Sequence, residues 1–383
     1  MHQRRASFRQ RGYAALILVA IIGLTLTALF VTSLNATQLR NEQNRKTLAA
    51  LALAKQALIA RAAVDQTIPG SFPCPDVDND GVLTLGVDYS GPNCTSYLGR
   101  LPWRTLGLPD LRDANGERLW YTLSQNFRDA SGVVINSTTA ATLSVTGTVP
   151  ATNVVAIVFS PGTILSGQIR GSVANQNNPA NYLEGSNATG GPVFTSQASG
   201  NTFNDQLVTI TAAELMPIVE KNVAREMMLI LENYHAATGI YPWAADATGN
   251  SVDPTGNNGR NRGLFPCDTA QPTNWGDGGT ASLPGWLTNG CGSTGWASVI
   301  YYAVSGPQLE DAGSACDHAH NYCVSNPHLK LNGSFGPDLV LLTPGTNGIF
   351  DDQNGVGGAQ GDSDRFVTPT STANDRDRIY TYP

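Results

Sequence analysis

The sequence predicts an α+β fold in which a long N-terminal helix precedes two tandem heads, each a helix packed on a mainly antiparallel sheet. Three observations predict it: an uncharged apolar run near the N-terminus, a helical periodicity that begins twice, and a repeated series of short strands and turns. Of the 383 residues, 40 are glycine, 22 are proline and only 14% are charged. This composition favours short strands and many turns over a helical bundle.

The first element is an apolar run, Tyr13 to Leu34, that contains no charge and no proline. At about 1.5 Å per residue it is long enough to cross a hydrocarbon core of about 30 Å. It is also longer than the apolar region of a secretory signal peptide, and no A-x-A cleavage site follows it. The leader before it has no acid and carries Arg4, Arg5, Arg9 and Arg11. This charge bias predicts a single membrane pass with the N-terminus in the cytoplasm.

The residues at the start of this run, Arg11-Gly12 followed by the aromatic Tyr13, resemble the leader of type IV pilins and type II secretion pseudopilins. The resemblance implies that prepilin peptidase removes the leader over residues 1–12 by cutting after Gly12, and that it methylates Tyr13. It further implies assembly with other pilin or pseudopilin subunits. The protein would then lie in a bacterial inner membrane, with its heads in the periplasm or in an extracellular filament.

One position departs from the pattern of the family. Its major subunits carry glutamate at the fifth mature position, where this chain has Ile17. A carboxylate in a bilayer is kept only with a partner. Without this glutamate, the chain resembles a minor or tip subunit of the family, which has no neighbour on that side. The alternative is a membrane-anchored periplasmic binding protein or adhesin that does not enter a filament.

Helical character continues to residue 66, so the predicted N-terminal helix covers residues 13–66 and ends before Ile68-Pro69-Gly70. An apolar stripe that should pack on a sheet follows three- and four-residue steps: Leu48, Leu51, Ala52, Lys55, Leu58 and Ile59. A second helix is predicted after the capping box Thr211 to Glu214, and Gly239 should end it.

Matching landmarks follow each helix and indicate an internal repeat, with a first head over residues 67–211 and a second over 212–383. We align Thr67-Ile-Pro69 with Gly239-Ile-Tyr-Pro242, Phe72-Pro-Cys74 with Phe265-Pro-Cys267, and Leu101-Pro-Trp103 with Leu283-Pro-Gly-Trp286. Later matches pair short apolar runs that predict strands. They are residues 120–124 with 301–305, 157–163 with 341–346, and 205–210 with 377–382.

Six cysteines in an exported region predict disulfides. Six cysteines allow fifteen connectivities. Proximity in the sequence favours three pairs, and the aligned repeat supports the first two: Cys74–Cys94, Cys267–Cys291 and Cys316–Cys323. His318 and His320 lie inside the third pair and suggest a zinc site as the alternative, but the spacing is tighter than in zinc fingers and an oxidising compartment favours the disulfide.

Aspartates at steps of two, followed by Gly81, reproduce the first half of a calcium-binding loop. The candidate calcium ligands are Asp76, Asp78, Asp80 and Asp88. Residue 87, at the twelfth position of the loop, is valine instead of glutamate, so a metal-free acidic turn is the alternative. A second acidic loop over residues 351–364 is a weaker candidate of the same kind.

No catalytic constellation is recognisable: the sequence has no G-x-S-x-G, H-E-x-x-H, P-loop or dinucleotide-binding motif. We therefore expect a protein that is not an enzyme and that binds no organic cofactor. The net charge of −7 argues against nucleic acid as a partner.

Overall fold

The computed structural model has the predicted α+β architecture. It describes residues 38–239, 241–245, 262–267, 283–289, 291, 294–305, 329–331, 334–335, 339–343, 365–366 and 378–382. No helix in this part of the chain combines the length and the apolar character needed to cross a bilayer. Four predicted features lie outside it: the leader with Gly12, the apolar run with Tyr13 and Ile17, the Cys316–Cys323 pair, and the acidic loop over 351–364.

Helix α1 covers residues 38–63 and so ends earlier than the predicted residue 66. The reason is the side chain of Asp65, which accepts hydrogen bonds from the backbone N–H groups of Thr67 (2.7 Å) and Ile68 (2.8 Å). These bonds form a turn in place of a further helical turn. The N–H of Gly70 then returns to the carbonyl of Ala62 at 2.9 Å, which satisfies one carbonyl at the end of the helix.

The predicted apolar stripe of α1 is wrong in part. Leu48 has 54% of its surface exposed, and Ala52 is exposed as well. The buried positions follow three- and four-residue steps and join the core of the first sheet: Leu51, Ala54, Leu58 and Ala62. Two of these residues are alanines, whose small side chains let the helix lie close to its neighbours. A search for large apolar side chains therefore does not find this face.

The first half of the chain forms a six-stranded sheet preceded by a short hairpin, β1 (Tyr89–Ser90) and β2 (Asn93–Cys94). The sheet strands are β3 (Leu98–Arg100), β4 (Trp120–Leu123), β5 (Leu143–Gly147), β6 (Ala151–Ser160), β7 (Val193–Ser196) and β8 (Gln206–Thr211). Their order is β3-β4-β6-β5-β7, and β8 also pairs with β6. All pairings are antiparallel except that of β5 with β7.

Helix α2 (Ala212–Thr238) opens the second half, and both of its predicted caps are confirmed. The hydroxyl of Thr211 accepts a hydrogen bond from the N–H of Glu214 at 3.3 Å, and Gly239 has the left-handed φ of 80°. The described strands and the one-turn helix α3 are β9 (Arg262–Leu264), α3 (Gly285–Thr288), β10 (Tyr301–Val304), β11 (Lys330–Leu331), β12 (Ser334–Phe335), β13 (Leu339–Thr343), β14 (Arg365–Phe366) and β15 (Arg378–Tyr382).

The main sheet of the second half has the order β15-β13-β10-β9, and all its pairings are antiparallel. The first sheet contains the matching series β8-β6-β4-β3. Each series also has an equivalent tyrosine hydrogen bond. In the first half the Tyr121 hydroxyl donates to the carbonyl of Pro73 (3.1 Å), and in the second the Tyr302 hydroxyl donates to the carbonyl of Pro242 (2.8 Å). The strand pairs aligned from the sequence, residues 120–124 with 301–305 among them, agree with this correspondence.

The same contacts correct the earlier part of the alignment. Pro242 corresponds to Pro73, where the sequence comparison had paired it with Pro69. Phe72-Pro73 therefore matches Tyr241-Pro242 and does not match Phe265-Pro266. Bridges of Asp76 with Arg100 and of Ala245 with Leu264 fix the register. Leu101-Pro-Trp103 therefore matches Phe265-Pro-Cys267, where the sequence comparison had paired it with Leu283-Pro-Gly-Trp286.

Two predicted disulfides are confirmed, Cys74–Cys94 with Cα atoms 5.4 Å apart and Cys267–Cys291 with Cα atoms 5.7 Å apart. In the corrected register they are not copies of one another. Cys74 corresponds to Trp243, which is 1% exposed, and Cys267 corresponds to Trp103. Each half thus has a disulfide at a position where the other half has an indole ring.

A single hydrophobic core joins the two halves. It contains the buried faces of α1 and α2 together with one face of each main sheet, including Tyr121 of the first and Tyr302 of the second. A second cluster covers the opposite face of the first sheet, where Tyr182 and Leu183 pack over Trp120 and Phe159. Helix α2 contacts strands β6 and β8 of the first sheet as well as β13 and β15 of the second.

We predict that Leu51→Ala lowers the free energy of unfolding by about 2–5 kcal/mol, because it leaves a cavity beneath α1. The matched control Leu48→Ala should change it by less than about 0.5 kcal/mol, because that side chain is mostly exposed. Urea unfolding of the purified protein measures both. A similar loss in the two variants would contradict the helix face described above.

Candidate metal centre

The aspartate loop, residues 76–88, brings three of the four predicted calcium ligands together. Asp76, Asp78 and Asp80 each offer a carboxylate oxygen, and these atoms all lie within 4.8 Å of one another. Asp76 is buried, whereas Asp78 and Asp80 are exposed. The group therefore opens to solvent on one side and rests on a buried acid on the other.

Hydrogen bonds to Asp76 form the first turn of this loop. One carboxylate oxygen accepts from the N–H of Asn79 (2.5 Å) and the other from the N–H of Gly81 (2.7 Å). Asn79 and Gly81 have φ angles of 66° and 87°, a region that asparagine and glycine adopt most readily. A Cβ at position 81 would lie 2.5 Å from the indole nitrogen of Trp103, so glycine is required there on two grounds.

Asp88, the fourth predicted ligand, lies outside the group of three. Its side chain is fully buried, and its two carboxylate oxygens accept from the N–H groups of Val77 and Thr84, each at 2.8 Å. These bonds tie the beginning of the loop to its end. Asp88 therefore closes the loop, and its two bonded N–H groups account for its position without a metal.

Two neighbouring elements fix the loop to the first sheet. The N–H of Asp76 donates to the carbonyl of Arg100 (3.0 Å), and the N–H of Arg100 donates to the carbonyl of Asp76 (2.8 Å). The guanidinium of Arg118 donates to the backbone carbonyl of Asn79 (2.6 Å) and to its side-chain oxygen (3.0 Å). The Cys74–Cys94 disulfide holds the chain just before the loop.

Burial, together with the neighbouring Asp78, raises the pKa of Asp76 to about 6, against the opposing effect of hydrogen bonds from Gly81 and Asn79. A proton is therefore the simplest charge compensation when the loop holds no cation. Clustered carboxylate oxygens are the ligands that calcium prefers. The three aspartates fit a calcium ion in charge and in donor type, and backbone carbonyls or water would have to supply its other ligands.

A second group of buried acids, Glu184 and Asp205, was not singled out from the sequence. The Asp205 carboxylate accepts from the N–H of Glu184 (2.9 Å) and from the side-chain amide of Asn187 (2.9 Å). The Glu184 carboxylate accepts in return from the N–H groups of Asn204 (2.9 Å) and Asp205 (3.0 Å). Residues so far apart in the chain meet only through the fold, so no local pattern could have identified them.

Burial and the adjacent Glu184 raise the pKa of Asp205 to about 8, although the N–H of Glu184 and the Asn187 amide oppose the shift. A raised pKa in a cleft would suggest proton transfer. Here both acids are engaged with backbone N–H groups of residues 184–205. We therefore interpret the pair as a structural group that holds this segment over the first sheet.

Comparison with protein-family models, with curated proteins and with solved structures gave no match to this chain.

We predict that stability falls as the pH rises from about 4 to about 8, in part because of Asp205. The folded protein holds a proton on this group below pH 8, whereas the unfolded chain releases it near the ordinary value of 3.8. The folded state therefore binds more protons in this window, and its stabilisation is lost as the pH rises.

The Asp205→Asn variant should remove this part of the pH dependence, because its side chain is neutral throughout. Urea unfolding at pH 4, 6 and 8 measures how the free energy of unfolding depends on pH. The control Glu42→Gln changes a carboxylate on the exposed part of α1 and should have the same pH dependence as the wild type. Parallel curves for Asp205→Asn and the wild type would show that the prediction is wrong.

Proposed function

We propose that this protein is a pilin-like minor or tip subunit of a type IV pilus or a type II secretion pseudopilus. The observation that carries the proposal is the way in which α1 leaves the first head. Residues 47–63 bury one face in the core, but residues 38–46 are helical and exposed on every side. The first nine described residues of the helix thus stand clear of the core, on the side of α1 that precedes residue 47 in the sequence.

An exposed N-terminal part of this helix is what a filament subunit requires. A continuous helix from residue 13 to residue 63 would be about 75 Å long, at about 1.5 Å per residue. The first part of this helix would lie in the bilayer before assembly and in the filament core afterwards. The mainly antiparallel sheet that packs on its last part would hold the heads on the outside of the filament. By resemblance to the family, prepilin peptidase cuts after Gly12 and methylates Tyr13, and Ile17 favours a position without a neighbour on that side.

In this proposal the aspartate loop binds calcium and stiffens the surface of the first head. Asp76, Asp78 and Asp80 are the protein ligands, and Asp88 shapes the loop. Because the pKa of Asp76 is raised to about 6, calcium must compete with a proton, and affinity should decrease as the pH falls below 6.

A second candidate function is a permanently anchored periplasmic binding protein or adhesin. The observation that favours it is a cavity of about 430 Å³ in the first half of the chain, lined by four arginines. This candidate requires no cleavage at Gly12 and no filament, so processing of the leader separates the two.

We predict that the mature protein in its native host begins at Tyr13 with a methylated amino group, as mass spectrometry of the N-terminus will show. Gly12→Glu should abolish cleavage, so the product keeps its first twelve residues and migrates more slowly on electrophoresis. Gln10→Glu introduces the same charge two residues earlier and should still be cut. A wild-type protein that retains its leader would rule out the filament proposal.

We predict that calcium raises the free energy of unfolding, by about 2.7 kcal/mol at a concentration one hundred times Kd. Asp78→Asn and Asp80→Asn should each lose most of this gain, because the ion loses a carboxylate ligand. Glu42→Gln removes an exposed carboxylate outside the aspartate loop, so this variant should keep the stabilisation by calcium. Unfolding curves with calcium and with a chelator test this, and equal curves for the wild type would contradict calcium binding.

A further inference from the structure

A polar cavity of about 430 Å³ lies in the first head, beside the aspartate loop. Its charged lining comes from three separated segments: the end of β3, the loop over residues 110–118, and the segment over residues 170–182. Four of the lining side chains are guanidinium groups and one is a carboxylate: Arg100, Arg112, Arg118, Arg170 and Glu117. We call it the arginine cavity.

The acids around the arginine cavity do not balance its cations. Arg112 and Arg118 share one carboxylate, that of Asp110, at 2.7 Å and 2.9 Å. Arg170 lies 3.5 Å from the Glu117 carboxylate. Arg100 has no carboxylate within ion-pair distance in the described part of the chain. Four guanidinium groups against two carboxylates leave an excess of two positive charges, in a chain whose net charge is −7.

Arg100 is the least expected of these cations, because only 3% of its surface is exposed. Its guanidinium carbon lies 4.1 Å from the ring centroid of Trp120 and 4.0 Å from that of Tyr182, and cation–π attraction holds it there. Its two terminal nitrogens donate to the carbonyls of Arg118 (3.0 Å) and Gln176 (2.6 Å). Its Nε is buried and has no acceptor within the described residues.

A buried cation without a counter-ion and with an unsatisfied N–H is costly. Burial lowers the pKa of Arg100 to about 10, so the group still carries its charge at neutral pH. Arg170 has an evident structural role, since it donates to the carbonyls of Asn181, Gly162, Pro161 and Tyr182. The ring contacts and carbonyl hydrogen bonds of Arg100 position its guanidinium but bring no opposite charge to it, so an anion in the cavity would supply the missing counter-charge.

We propose that the arginine cavity binds a small organic anion through a carboxylate or phosphate group. The planar fork of a guanidinium matches both oxyanions, and several such forks around one cavity add geometric selectivity. The volume suits a compact metabolite, since ligand cavities commonly span about 300–1,000 Å³. Glu117 lies among the arginines and acts as an internal competitor of the ligand.

The test uses the full-length protein in detergent, with inorganic phosphate and citrate as probes and sodium chloride to keep the ionic strength constant. At least one probe should bind with Kd below about 1 mM by calorimetry and should raise the midpoint of thermal unfolding. The probe that binds more tightly identifies the phosphate or the carboxylate as the preferred group. If neither has an effect beyond that of chloride, the proposal is overturned.

Three variants test whether binding occurs in the arginine cavity. Arg112→Gln should weaken binding about tenfold, because it removes one charged donor, and its side chain is 45% exposed, so folding should not suffer. Glu117→Gln should tighten binding, because the internal competitor becomes neutral. Arg104→Gln changes the net charge as Arg112→Gln does but lies outside the cavity, and it should bind like the wild type.

Equal weakening by Arg104→Gln and Arg112→Gln would overturn the proposal, because it would indicate only a general effect of charge. Weaker binding in Glu117→Gln would also overturn it. The inference does not depend on the filament proposal. The uncleaved Gly12→Glu protein should bind the same anion with the same affinity, so the two proposals fail or succeed separately.

Discussion

Two backbone hydrogen bonds between Asp76 and Arg100, at 3.0 and 2.8 Å, connect the two candidate sites of this protein. The bonds fix the backbone positions of both residues. The Asp76 side chain belongs to the aspartate loop, and the Arg100 side chain lines the arginine cavity. The two bonds require a close approach that Gly99 permits, since a Cβ there would lie 2.9 Å from the carbonyl oxygen of Asp76. Both candidate sites thus depend on one short contact between a loop and the edge of a sheet.

The second half of the chain has the same contact without the same chemistry. Ala245 and Leu264 exchange two backbone hydrogen bonds at 2.9 and 3.0 Å, and Gly263 again allows the approach. At these positions the first half has Asp76 and Arg100, whereas the second has two apolar residues. This favours our interpretation of an internal duplication in which both halves keep the scaffold and only the first keeps charged groups on it.

The parts of the fold that could be predicted from the sequence are those fixed by local pattern. Strand β6 follows from a β-branched and aromatic run that a turn ends, the caps of α2 from their residue types, and the close grouping of Asp76 with its neighbours from their spacing. The early repeat alignment failed because an aromatic residue followed by proline occurs at Phe72, Tyr241 and Phe265, and only hydrogen bonding across strands distinguishes them. The arginine cavity was missed because Arg100 and Arg170 are far apart in sequence and meet through the fold.

The shared core holds the two halves of the described chain together through α2. Helix α2 packs on both main sheets, and its Asn222 donates to the carbonyl of Ala63 at the end of α1 (3.0 Å). Asn136 of the first half likewise donates to the carbonyl of Thr294 in the second (2.9 Å). Separating the halves would expose the apolar face of α2 to water. The second half is therefore held by the same packing that holds α1.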